Sequence, residues 1–320
     1  MSHFFHRALG NTGLTVSPIC FGGNVFGWSL DEAASLAMLD ALPDHGINFI
    51  DTADAYSAWV DGNQGGESEA LIGTWFKTRG RRSDVVLATK VGSPMATSPG
   101  GLKADTIVRG VEASLQRLQT DYIDLYQSHR DDADTPIDET LEAFDKLVRA
   151  GKVRALGASN FSADRLKASL DASAANGWAA YTTLQPLYNL MDREAFEQDL
   201  MAVCLENDIA VIPYFSLASG FLTGKYRTDA DIAANPTRGE RVRKYLTPRG
   251  QRVVAALDTV AAETGASPAS VALAWLMARP AIGAPIASAT SLTQLAALSA
   301  AMSLTLTEPQ QALLTTASAP

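Results

Sequence analysis

The chain has 320 residues, 47% of them hydrophobic, with a formal net charge of −9 and a pI near 5.0. That acidic balance excludes a general affinity for nucleic acid, which needs a basic surface. No stretch reaches the ~18 uninterrupted apolar residues of a membrane helix, and MSHFFHRALG at the N-terminus lacks the apolar run of a secretory signal. Cys20 and Cys204, the two cysteines, sit among apolar neighbours and read as reduced thiols of a cytoplasmic protein.

In chain order, FFHRAL and LTVSPI flank Gly10-Asn11-Thr12-Gly13, which predicts an N-terminal β-hairpin. Short apolar runs then alternate with longer segments of helical period. The runs are PICFGG, NFIDTA, VVLATK, YIDLYQS, VRALGAS, TTLQP, AVIPYFS and APIAS. The helical segments begin near Asp31, Ser68, Ala104, Ile137, Ala163, Arg193, Pro268 and Leu292, and Gly46, Gly80 and Gly151 stand where helices should stop. Eight strand-then-helix units without a break in composition predict one domain over residues 1–320, an α/β fold of the (β/α)₈ TIM-barrel type. A doubly wound sheet is the alternative, but it would want a nucleotide fingerprint, and no GxGxxG occurs. A long irregular stretch over residues 217–247 follows the seventh strand, where loops of such length tend to be functional. The terminal TEPQQALLTTASAP reads as a short tail after the last helix.

In a barrel, catalytic groups gather at the C-terminal ends of the strands. The second strand ends in Asp51, with Tyr56 just beyond it; the third ends in Lys90 and the fourth in His129. Each has an ordinary reading alone, as a cap, a rim aromatic or a solvated end. Three adjacent strands delivering a carboxylate, a phenol, an ammonium and an imidazole to one mouth point to chemistry. A phenol titrates near ~10 and an adjacent ammonium lowers that value, making Tyr56 a proton donor and acceptor. Asp51 would hold the lysine, and His129 would orient an oxygen that gains negative charge, as a carbonyl does on receiving a hydride. Asp54 is left as a loop-capping carboxylate. A metal centre is not expected, because only His129 among four histidines lies at a strand end. No Tyr-x-x-x-Lys of the short-chain dehydrogenase type occurs.

GINFIDTADAY with GESEALIG, LVRAGKVRALGASNFS, YIDLYQSHRDD, LQPLYN and FLTGKY together resemble the aldo-keto reductase family over essentially the whole chain, in its bacterial and potassium-channel-β-subunit-like branch. The resemblance implies a catalytic tetrad of Asp51, Tyr56, Lys90 and His129. It implies that Ser159, Asn160 and Gln185 meet a nicotinamide carboxamide, that Tyr214 stacks on the ring, and that Gly23 lies with the cofactor contacts. The segment SLASGFLTGKY, with Ser216, Leu217, Ser219, Gly220 and Lys225, resembles the loop that covers the cofactor pyrophosphate. IASATSLTQLAALSA departs from the family: Ser288, Thr290 and Gln294 occupy a region that usually holds basic residues for an adenosine 2′-phosphate, and Leu298 falls near a usual Asn. Arg241, Arg243 and Lys244 read as a solvated charge run. The cofactor expected is NADP(H), with NAD(H) or dual use as the alternative. Trp28 and Trp59 are expected to wall a pocket for a small-molecule carbonyl or alcohol substrate, open above and closed by loops. No nucleic-acid or membrane partner is expected, and the chain is expected to be a monomer or small homo-oligomer. The competing function is a redox-sensing regulatory subunit that binds cofactor without turnover.

Overall fold

Strands form where the apolar runs predict them. The computed structural model describes residues 5–234 and 236–320, so Phe4, the first residue of the expected hairpin, and Asn235 lie outside it. Strands β1 (Arg7–Ala8) and β2 (Thr15–Val16) pair antiparallel around a 3₁₀ turn over Gly10–Thr12. Then follow β3 (Cys20–Gly22), β4 (Phe49–Asp51), β5 (Val86–Val91), β6 (Ile123–Ser128), β7 (Val153–Ser159), β8 (Tyr181–Gln185), β9 (Ala210–Val211) and β10 (Ile286–Ala287). They lie in the order β10-β3-β4-β5-β6-β7-β8-β9, every pair parallel. Backbone bonds from Val211 N to Ala281 O (2.8 Å), Gly283 N to Val211 O (2.8 Å) and Ile286 N to Pro213 O (2.9 Å) join β9 to the chain leading into β10 and close the ring. This is the (β/α)₈ barrel.

Side chains alternate across a strand with period two, so each strand sends every second residue into the barrel. Phe49, Ala88, Leu125 and Ala155 face inward and pack with Leu9, Leu14 and Val16, so the hairpin plugs the end where the strands begin. Ile50, Leu87, Tyr126 and Leu156 face outward against the helices. Two residues beyond that inner apolar layer, the same alternation brings Asp51, Lys90, Gln127 and Gly157 inward, one polar layer nearer the mouth. The register lines them up, with Lys90 opposite Gln127, Gln127 opposite Gly157 and Ser159 opposite Gln185. Gly157 is a packing necessity: a Cβ there would lie 2.9 Å from Gln127 Cγ and 2.3 Å from Thr183 Oγ1.

Helices depart from expectation in several places. Residues 217–247 are not irregular: a 3₁₀ turn spans Ala218–Thr223, and short helices span Asp229–Ala233 and Pro236–Val242. Thr228 opens the first of these with a reciprocal cap to Asp231. Helices this short fall below the length at which a 3.6-residue period is visible. A 17-residue helix over Pro248–Thr264 has no counterpart in the predicted alternation. Its buried Val253, Val254, Leu257 and Val260 have helical spacing, but no strand precedes it to mark its start. The terminal stretch is a capped helix over Glu308–Ala317 and not a loose tail. Near Arg193 the helical segment carries a π turn over Phe196–Leu200 before the α-helix Met201–Glu206. Among the described residues, no helix is long and apolar enough to cross a membrane.

Candidate active site

Asp51 is fully buried at the end of β4, and its carboxylate accepts from four donors. Oδ2 accepts from Lys90 Nζ at 2.7 Å and Tyr56 OH at 3.0 Å; Oδ1 accepts from Gln185 Nε2 at 2.9 Å and Gln127 Nε2 at 3.2 Å. A carboxylate has about four lone-pair sites, so this one is saturated, which offsets the cost of removing it from water. Lys90, also fully buried, is saturated in turn: Nζ donates to Asp51, to the Thr52 carbonyl at 2.8 Å and to Tyr56 OH at 2.8 Å. The phenol thus sits in a triangle, accepting from the ammonium and donating to the carboxylate, and the residue as a whole is half-buried.

His129 follows β6, its backbone N–H bonded to Val91 O at 2.8 Å and its ring 6.0 Å from that of Tyr56. Burial, and then the positive charges of Lys90 and Arg130, push its pKa well below the ordinary 6.5. The imidazole is therefore neutral at physiological pH, and its buried Nδ1 has no hydrogen-bond partner. Tyr56 departs from expectation. Burial and the Asp51 carboxylate raise its pKa well above 10, so the pull of Lys90 toward the phenolate does not prevail. The phenol is held protonated, the form a proton donor needs.

All four members of the predicted tetrad meet at one mouth. Trp59 packs edge-on against Tyr56 at 6.0 Å and Trp28 against Trp59 at 5.7 Å, so both tryptophans line that mouth. Gln185 Nε2 donates to Asp51 Oδ1 and to Gln127 Oε1, which fixes the amide at the floor of the mouth. Ser159 Oγ donates to Gln185 O, Asn160 Nδ2 to Ser159 Oγ and to the His129 carbonyl, and Tyr214 OH to Asn160 Oδ1 at 2.8 Å, a chain of polar groups along the rim. Gly23 opens a 3₁₀ turn, where a Cβ would lie 3.0 Å from Asp51 O. Ser288 Oγ is engaged by Gly22 O and Asn24 Oδ1, and Gln294 Oε1 accepts from Thr290 N and Oγ1, so these three form local caps.

Gln127 is a site residue that the strand-end rule does not single out. It lies two positions before His129 on a strand, hence on the same face, and that spacing is the signal the sequence offers for it. Asp54 is a second correction. Beyond a hydrogen bond from the Ala55 backbone in its own loop it is buried, with Oδ1 unpartnered, and burial together with nearby Glu69 pushes its pKa up to about 8. Glu69 itself accepts from Thr89 Oγ1 at 2.5 Å and from Arg117 Nε at 2.7 Å. In the unfolded chain a carboxyl ionises near ~4. The stability linked to Asp54 is therefore full below pH ~4 and is lost as pH rises toward 8, because the unfolded chain releases a proton that the folded one keeps. Between those limits one such proton makes stability fall by ~1.4 kcal/mol per pH. Asp54→Asn should remove most of that slope, read as a smaller difference between urea denaturation at pH 5 and at pH 8.5. An unchanged difference would contradict the assignment.

The residues present also fit an extended anionic cofactor. After β9, Phe215, Ala218 and Ser219 adopt φ of 51°, 48° and 57°, and Gly220 adopts 100°. Left-handed backbone at three non-glycine residues costs about 1–2 kcal/mol each, and such strain collects at ligand-binding loops. Lys225 packs against this turn, its Cε 3.7 Å and Nζ 3.9 Å from where a Cβ of residue 220 would stand, so a cation lies beside the strained backbone. The half-buried Tyr214 ring stands beside it.

With this geometry in place, comparison with known proteins is decisive. The aldo/keto reductase family profile matches residues 18–319. The chain belongs to the aldo/keto reductase family. Among its relatives, an uncharacterized oxidoreductase of Bacillus subtilis, YrpG, is 37% identical over 90% of this chain and 87% of its own. The aldo-keto reductase YhdN of the same bacterium is 36% identical, over 88% and 83%. A probable voltage-gated potassium channel β-subunit of Arabidopsis thaliana is 33% identical, over 91% and 88%. As an aldo/keto reductase the chain is an oxidoreductase, and the family uses nicotinamide cofactors. Among the described residues no cluster of metal-ligating side chains occurs. Cys20, beneath the tetrad, is free and buried, with its thiol pKa pushed well up by burial, which leaves it unreactive.

Proposed function

We propose that this protein reduces the carbonyl of a small aldehyde or ketone, and in reverse oxidises the alcohol, with Tyr56 as the proton donor. The observation that carries this reading is the Tyr56 hydroxyl, held 2.8 Å from Lys90 Nζ and 3.0 Å from Asp51 Oδ2 at a mouth shared with His129. A reduced nicotinamide, when bound, would supply the hydride that the carbonyl carbon takes up. Everything else is the work of the chain. Tyr56 turns its proton from Asp51 to the carbonyl oxygen as negative charge develops there. Lys90 stabilises the phenolate left behind, and Asp51, fixed by Gln127 and Gln185, keeps Lys90 in place. Neutral His129 supplies a hydrogen bond to the same oxygen, and Trp28 and Trp59 wall the substrate and limit water. Ser159, Asn160 and Tyr214 would meet the nicotinamide end, and Ser216, Leu217, Ser219, Gly220 and Lys225 its pyrophosphate.

NADP(H) is the cofactor proposed, from the family resemblance and the Lys225 loop. NAD(H) is the second reading, favoured by residues 286–303, which hold no lysine or arginine, and by the local engagement of Ser288, Thr290 and Gln294. Of the loop cations, Arg243 pairs with Glu240 and Asp229, and Lys244 lies nearest Asp192. Titration of tryptophan fluorescence with each cofactor decides the point: tighter binding of NADPH is expected, and tighter binding of NADH would reassign the cofactor.

A further inference from the structure

Most arginines described in this acidic protein are tied to a carboxylate, but two at the mouth are not. Arg241, on the helix Pro236–Val242, places its guanidinium 5.9 Å from the centre of the Trp28 ring. Trp28 meets Trp59 and Trp59 meets Tyr56, so the guanidinium stands at the outer end of an aromatic wall that leads to the proton donor. Arg130 follows His129, is exposed, and lies close enough for its charge to act on both His129 and Tyr214. Among the described residues neither arginine forms an ion pair.

Three of the nearby acids are held by other partners. Asp131 pairs with Arg165 at 2.7 Å, and Asp192 accepts from Asn189 and from Tyr245 OH. Glu67 accepts from the backbone N–H groups of Gln64 and Gly65. Two guanidiniums without an ion-pair partner beside one pocket, in a chain of net charge −9, are free to attract an anionic group on a substrate.

We propose that the substrate is a carbonyl compound bearing a carboxylate, bound by the Arg241 and Arg130 guanidiniums while its carbonyl lies at Tyr56. This rests on the reductase reading above. Arginine suits the role because its planar fork matches a carboxylate and because it stacks on an aromatic face such as Trp28. The aromatic wall then accommodates the apolar body between the two polar ends of the ligand.

The test compares 4-formylbenzoate with its methyl ester, which share the reacting aldehyde and the ring. The charged substrate should show kcat/KM about tenfold above the ester, the scale of one charge-assisted hydrogen bond. That advantage should lie in KM and shrink as salt is raised from about 50 to about 500 mM. In Arg241→Gln, and in Arg241→Gln/Arg130→Gln, the ratio between the two substrates should fall toward one. Equal kcat/KM for the two in the unaltered protein, or a ratio that survives the double substitution, overturns the proposal. If neither aldehyde is reduced, it is the reductase reading that fails. The subsite is then decided by quenching of tryptophan fluorescence with benzoate against benzamide: selective binding of the anion, lost in the double variant, supports it, and no selectivity overturns it.

Discussion

Tyr56→Phe should lower kcat/KM for aldehyde reduction by ~10²–10⁴-fold, the usual contribution of a positioned general acid, while leaving the dissociation constant of the cofactor nearly unchanged. The phenyl ring keeps the edge contacts to Trp59 and His129, and only the hydroxyl between Lys90 and Asp51 is removed. Stopped-flow turnover together with fluorescence titration of the cofactor separates the two effects. Turnover near that of the unaltered protein would remove Tyr56 from the chemistry. The raised pKa of the phenol adds a directional expectation. Reduction uses the protonated form, which persists past the ordinary value of 10, so reduction should not lose its acid through Tyr56 anywhere in the neutral range. Alcohol oxidation begins from the phenolate and should rise with pH across that range.

Lys90→Met should be as inactive as Tyr56→Phe, but it should also be unstable. It removes the cation that holds the phenol and leaves Asp51 buried beside no positive charge, and breaking a buried pair from one side costs about 3–5 kcal/mol. Thermal denaturation should show a melting point lower by several degrees. The double change Lys90→Met/Asp51→Asn removes the stranded charge, and it should recover much of the stability but none of the activity. Recovery of activity in the double variant would mean that Lys90 serves only the fold.

The tetrad is legible because its members are the polar interruptions of apolar strands. In FIDTADAY, Phe49 and Asp51 share a face, and the same holds for Ala88 with Lys90 and Leu125 with Gln127, so one period-two rule gives both the core and the catalytic layer. What the rule does not give is pairing across strands. Gln127 and Gln185 become supports of Asp51 only through the register of β6, β7 and β8, and Gly157 matters only because Gln127 lies opposite it. Asp54 reads as a loop acid because its raised pKa depends on burial and on the charges of Glu69, in the helix that follows the loop, and Arg117, in another helix. The direction of the Tyr56 shift escapes the sequence for a related reason. A sequence shows that Lys90 can reach the phenol, but not that Asp51 bonds to both. The short helices between Asp229 and Val242, which carry Arg241 to the rim of the pocket, have no periodic signal to betray them.

The central claim is that a hydride reaches a carbonyl carbon at this mouth, and transfer of isotope tests it directly. Incubating the protein with NADPH deuterated at C4 and a panel of aldehydes and ketones, 4-formylbenzoate among them, should place deuterium on the carbinol carbon of the product alcohol, detected by mass spectrometry. Cofactor held tightly with its label retained against every carbonyl compound would contradict the account and mark the chain as a nicotinamide-binding sensor.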